Sequence, residues 1–190
     1  MRIIDAITLG EEDRALLRPH EKWADEGGSE RRLPRYFYAL DSWAEAKAVQ
    51  LTEHFTLAEL MAVDCREAPQ LLREFPHFVP CAVAVLARYL EEFRRRVEAP
   101  VFVSVNGGYR SPAHRLHETA TPHAWGCAAD IYRVGDARID GAKTAERYAK
   151  MAEGIGREVR IKPFGTGAGE ADDHLHLDLG FLTIEPHTLR

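Results

Sequence analysis

Val101-Phe-Val-Ser-Val-Asn-Gly-Gly-Tyr-Arg110, continued by His123-Ala-Trp-Gly-Cys-Ala-Ala-Asp130 and answered by Asp172-Asp-His-Leu-His-Leu-Asp178, is the part of the chain from which the rest is read. The β-branched run 101–105 predicts a strand, and Gly107-Gly108 breaks it. Ser111-Pro112 predicts the start of a short helix with proline in its first turn. Residues 126–133 predict a second strand and residues 174–179 a third. On that last strand His174 and His176 are two apart, so their side chains share a face. His123 and Asp130 are seven apart with Gly126 between them. That spacing suits a loop histidine folding back beside a carboxylate on the following strand.

Outward from this centre the helical signals are clear. Thr56 followed by Glu59 is a capping box, predicting a short helix that carries Leu57, Leu60 and Met61 inward. Pro80 opens a longer helix, in which Ala82, Val83, Val85, Leu86, Tyr89, Leu90 and Phe93 recur at helical spacing. Glu91, Glu92 and the Arg94-Arg-Arg run lie largely on its wet side, and Pro100 ends it. Residues 142–155 predict an amphipathic helix stopped by Gly156. Residues 159–161 predict a short strand and 165–169 a flexible loop. The order predicts an α+β fold, a small antiparallel sheet packed against helices. Residues 51–190 form the main domain.

Residues 1–50 read as an N-terminal appendage of no assigned role. In it, 3–9 suggests a short strand, 11–35 a charge-dense surface arm with at most one helical turn, 36–40 an edge strand or docking segment, and 42–49 a helix.

The composition narrows the function. Of 190 residues, 45% are apolar and 29% charged, with a formal charge of −5. That balance allows a buried core and offers no basic footprint for nucleic acid. No apolar run approaches the roughly 18 to 20 residues that span a bilayer. The first residues lack the marks of a secretion signal, so the expected compartment is the cytosol, with action in the periplasm or outside the cell requiring another release route. Cys65, Cys81 and Cys127 form no CxxC pair and no even set, and are expected to be buried free thiols.

The chemistry offered is that of a metal hydrolase. Catalytic zinc takes three N or O ligands and leaves a fourth position for water. His123, Asp130 and one of the two late histidines supply that set. A general base is also needed, and Asp173 stands at the start of the last strand, with Glu170 and Asp172 as rivals. Arg110 offers a fork for a substrate carboxylate or a developing oxyanion. His114 and His117 lie within reach of the pocket rim. His20, His77 and His187 read as ordinary surface or core histidines, His54 as a cap or packing residue, and Trp125 as a packing aromatic.

Gly108-Tyr109-Arg110-Ser111, Thr121-Pro-His123-Ala-Trp-Gly126-Cys-Ala128-Ala-Asp130 and Asp173-His174-Leu-His176 resemble, in order, the motifs of the zinc D-Ala-D-Ala carboxypeptidases and dipeptidases, a family related in fold to the Hedgehog signalling domain. The resemblance spans about residues 51–180, and Thr121 stands where the family usually has serine. It implies a Hedgehog/D-Ala-D-Ala-peptidase-like fold. It implies Zn2+ held by His123, Asp130 and His176, with Asp173 as base, Arg110 as anion binder and His174 as a supporting group beside the metal or the oxyanion. The implied activity is hydrolysis of peptidoglycan peptides. Two other readings stand beside it: a domain that keeps zinc and binds without cutting, and a phage-type murein endopeptidase.

Overall fold

The computed structural model describes residues 1–63, 75, 77–167 and 170–186. In chain order the elements are β1 (Arg2–Asp5), α1 (Glu11–Leu17), β2 (Lys22–Ala24), β3 (Glu30–Arg32), β4 (Tyr36–Leu40), α2 (Trp43–Ala48) and β5 (His77–Pro80). They continue with α3 (Val83–Val97), β6 (Val101–Val103), β7 (Ala128–Val134), β8 (Ala137–Arg138), α4 (Ala142–Glu153), β9 (Arg160–Ile161) and β10 (Leu175–Asp178). Single 3-10 turns occupy Ala6–Thr8, Ala58–Leu60 and Pro122–Trp125. The fold is mixed α+β, and its strands pair antiparallel.

The sheet that matters for function runs β6-β7-β10-β9, with β8 hairpinned onto β7. Its helical cover is α3 and α4, which meet where Phe93 and Tyr148 pack edge to face at 6.5 Å. The helices form where the apolar spacing demands: Leu86, Leu90 and Phe93 of α3 and Ala145, Tyr148 and Ala152 of α4 are buried. Burying one such leucine or phenylalanine contributes about 1.5 to 3 kcal/mol, so this stripe rather than helix propensity holds α3 in place. On β10, Leu175 and Leu177 alternate with His176 and Asp178, and all four are buried. Such a strand has an apolar face for the core and a polar face for a site.

Around residue 56 the side chain of Glu59 reaches back to the Thr56 backbone N–H at 2.8 Å, one arm of a capping box. Leu57, Leu60 and Met61 point inward there as expected, although the helix is a single 3-10 turn.

Several elements differ from the sequence reading. Residues 36–40 form a central strand, not an edge, because β4 pairs with β1 on one side and β5 on the other. Phe37, Ala39 and Leu40 are accordingly buried. Residues from both sides of position 50 thus contribute to one sheet. Pro80 closes β5 rather than opening α3, which begins at Val83. The arm at 11–35 is more ordered than its charge suggested. It holds α1 and the β2–β3 hairpin, whose turn is built by Asp25 Oδ1 accepting from the Gly27 and Ser29 backbone N–H groups at 3.1 and 2.9 Å. Such Asx turns compete well with helix.

Ser111-Pro112 starts no helix. The Ser111 hydroxyl instead accepts from the Ala113 N–H at 3.3 Å and bends the chain into successive turns. Helix α4 stops at Gly154, two residues earlier than Gly156. Cys81 and Cys127 are buried free thiols, both pushed up to about 12 by burial, as expected; Cys65 and His187 lie outside the described residues, as does the end of the 165–169 loop. Among the described residues no helix is long and apolar enough to cross a membrane.

Candidate metal centre

The antiparallel register of β7 and β10 places His176 directly opposite Asp130. Cross-strand partners point to the same side of a sheet, so an imidazole and a carboxylate 46 positions apart meet there at 2.8 Å (His176 Nδ1 to Asp130 Oδ1). His174 lies at the head of the strand on the same side, and its Nε2 is 3.2 Å from the same oxygen. His123 arrives from the turn Pro122–Trp125, which ends at Gly126 with φ 67°, a left-handed conformation that glycine adopts without strain. Its Nε2 is 3.3 Å from Asp130 Oδ1. Three imidazoles thus converge on one carboxylate oxygen.

The His123 ring has a defined tautomer. Its Nδ1–H donates to the Gly108 carbonyl at 2.8 Å, so Nε2 presents a lone pair toward Asp130. Burial pushes this histidine down to about 4, in spite of the Asp130 charge, and it is neutral at physiological pH. A lone pair facing a carboxylate oxygen is two acceptors apposed in a dry site, an arrangement that a cation relieves.

Ligand atoms about one tetrahedral ion with bonds of about 2.0 to 2.2 Å stand about 3.3 to 3.6 Å apart. His123 Nε2 already has that spacing from Asp130 Oδ1, at 3.3 Å, while His176 Nδ1, at 2.8 Å, stands at hydrogen-bond distance from it. His123, Asp130 and His176 are all buried, and their donor atoms lie within 4.8 Å of one another. This group can hold a metal ion.

Electrostatics mark the same spot. Burial disfavours the Asp130 carboxylate, yet His123, His174 and His176 together hold its carboxyl well below the usual range. Burial would also lower His174 and His176, but Asp130 with Asp173 raises the first, and Asp130 with Asp178 raises the second. Arg110 stands behind Asp130, its Nη1 3.7 Å from Oδ2. Burial lowers Arg110 too, and its Nε has no hydrogen-bond partner among the described residues.

Asp173 stands apart from this cluster. Its carboxylate accepts from His174 Nδ1 at 2.5 Å, and its side chain is 80% exposed. It therefore reaches the centre through His174. Glu170 is engaged elsewhere, accepting from the Gly167 N–H at 2.7 Å, and Asp172 is exposed.

His114 and His117 support the loop rather than the ion. His114 Nδ1 accepts from the Leu116 N–H at 3.1 Å, which leaves Nε2–H to donate to Asn106 Oδ1 at 3.1 Å. His117 Nδ1–H donates to the Ser111 carbonyl, and its Nε2 accepts from the Thr121 hydroxyl, each at 3.1 Å. The N-terminal hairpin braces this loop. Ala24 O accepts from the Ala120 N–H at 2.9 Å, Trp23 packs on His117 at 5.8 Å, and Trp125 Nε1–H donates to Arg32 O at 2.9 Å. Trp125 is fully buried, a packing residue. His54 pairs with Glu91 at 2.7 Å on the surface; with Glu53 they form a second acidic group, mostly exposed.

One buried partner went unassigned in the sequence. Asp178 Oδ2 is 3.3 Å from His176 Nε2, and its Oδ1 accepts from the Gly180 N–H at 2.7 Å. The signal was its position two residues beyond His176, on the same strand face.

No family model matches the chain, and neither a curated protein nor a solved structure does.

Proposed function

We propose that this chain is a zinc-dependent metallopeptidase that hydrolyses peptides of the bacterial cell wall, of the D-Ala-D-Ala carboxypeptidase type. The observation that carries the reading is the meeting of His123 Nε2, Asp130 Oδ1 and His176 Nδ1 in a buried site, with one of those nitrogens unprotonated and aimed at the carboxylate. A closed structural zinc site favours four Cys or His ligands, whereas two histidines and one carboxylate leave a position for water. The sheet β6-β7-β10-β9 covered by α3 and α4 is in keeping with the Hedgehog/D-Ala-D-Ala-peptidase-like fold that the motifs imply.

In this reading a bound zinc ion supplies a Lewis acid that brings the pKa of water down to about 7. Arg110, beside Asp130, binds the C-terminal carboxylate of the substrate or the oxyanion. Asp173 takes the proton of the attacking water and returns it to the leaving amine. His174, hydrogen-bonded to Asp173 and 3.2 Å from Asp130, fixes the base relative to the ligands.

A second reading is favoured by one observation. Asp173 is exposed and bonded to His174, so the same site serves a domain that holds zinc and binds wall peptides without cutting them. Metal analysis of the purified protein, followed by muropeptide digestion with and without chelator, separates the two. Bound zinc with chelator-sensitive cleavage supports the peptidase. Bound zinc with no cleavage of any wall peptide supports the binder, and protein that takes up no zinc ends both.

A further inference from the structure

His123 and His176 are held by opposite nitrogens. His123 is fixed through Nδ1, which donates to the Gly108 carbonyl, and offers Nε2 to Asp130. His176 does the reverse: Nε2 faces Asp178 Oδ2 at 3.3 Å, and Nδ1 faces Asp130 Oδ1 at 2.8 Å. The residue at the Nε2 side of His176 lies outside the group that can hold the ion. Asp178 is buried and itself pinned by the Gly180 N–H on its other oxygen, at 2.7 Å.

We propose that Asp178 is a positioning residue for the metal. It accepts the Nε2–H of His176 and thereby leaves Nδ1 as the atom that binds the ion. The inference rests on the metal reading above, and it names a residue that this reading does not use. Its physical basis is that a ligating histidine holds its orientation and tautomer through a hydrogen bond from its other nitrogen, and that a carboxylate there also makes the imidazole more basic.

The carboxylate is specifically required, because both of its oxygens accept. An asparagine has one acceptor and one donor. If the amide oxygen stays on the Gly180 N–H, its NH2 faces His176 Nε2 and calls for a lone pair there. The proton then moves to Nδ1, the nitrogen the metal needs. If the amide turns over, NH2 meets the Gly180 N–H, and two donors face each other in a buried place.

The test uses the whole chain and Zn2+ alone, titrated against a chromophoric chelator, with wild type and Asp178→Asn compared. The expected result is stoichiometric zinc on wild type and about 10- to 100-fold weaker binding by D178N, with the thermal melt of metal-free D178N still cooperative. In zinc-loaded, 15N-labelled wild type, long-range imidazole correlations should show His176 with a proton on Nε2 and none on Nδ1, and His123 with the opposite arrangement. A residue that merely filled space would leave these spectra unchanged on substitution. Equal zinc affinity in D178N and wild type overturns the inference and leaves the metal reading standing. So does a zinc-loaded wild type whose His176 carries its proton on Nδ1, a measurement that does not depend on the variant folding. Wild type that binds no zinc overturns both.

Discussion

Asp130 and His176 are direct cross-strand partners on β7 and β10, and their side chains touch at 2.8 Å. The register of one pair of strands therefore decides whether the centre exists, since a slip of a single residue would send His176 to the other face of the sheet.

Asp130 is the negative charge on which three imidazoles and one guanidinium converge. Asp130→Ala leaves the largely covered Arg110 without its counter-charge and removes a ligand. Zinc uptake should vanish, and metal-free stability should fall by about 3 kcal/mol, the usual cost of orphaning a buried charge. Equilibrium dialysis and urea melts read the two effects. Undiminished zinc content would falsify the ligand assignment.

Asp173 touches His174 and no metal-facing atom of the group. Asp173→Ala should keep stoichiometric zinc and the wild-type melting temperature while abolishing peptide cleavage. Full cleavage by this variant removes Asp173 from the reaction.

Gly108 places its carbonyl on His123 Nδ1 while its backbone passes against Leu60. A Cβ at position 108 would stand 2.3 Å from the Leu60 carbonyl oxygen, backbone that cannot swing aside. Gly108→Ala should push the 106–110 loop outward, lower stability by about 2 kcal/mol or more, and weaken zinc binding by releasing His123. Unchanged melts and zinc affinity would show that the loop absorbs the methyl group without moving the ligand.

Acid should weaken the fold through His114 and His117. Burial, with the nearby Arg110 charge, pushes His114 down to about 4 and His117 down to about 3 from an ordinary 6.5. Between these values the unfolded chain binds the proton and the folded chain does not, so stability is full above about pH 6.5 and declines as pH falls. The decline extends toward 4 for His114 and toward 3 for His117, at up to about 1.4 kcal/mol per pH unit for each group. Urea melts at about pH 7.5, 6 and 5 should show it, and His117→Gln, which takes no proton, should flatten the slope. Equal slopes in the two proteins would mean that His117 is not held neutral.

How much of this was legible in the sequence follows from the range of each signal. The helices α3 and α4 announce themselves because their apolar stripes are local patterns of period 3.6, and β7 and β10 because strands of branched and alternating residues are local too. His123, Asp130 and one of the two late histidines were recognisable as candidate ligands because their spacing suits a turn and strands, and the motif resemblance added the choice of His176 and the places of Arg110 and His174. The hairpin Lys22–Arg32 was hidden, since its charged residues carry no period and its turn is made by one Asp25 side chain. The central place of β4 was hidden as well, because its partner β5 lies 37 or more positions further on.

The sequence by itself determined the inventory: which residues can bind a cation, and where the periodic helices α3 and α4 and the strands β7 and β10 run, all consequences of side-chain chemistry and near-neighbour spacing. Tertiary structure alone decided what each group faces. Only the pairing of β7 with β10 put His176 on Asp130, only the Gly108 carbonyl chose the His123 nitrogen, and only the turn at Gly180 aimed Asp178 at His176. The first two choices are long-range, because the atoms that meet His176 and His123 there come from distant parts of the chain; Asp178 is near in sequence, and only its aim is set by the fold.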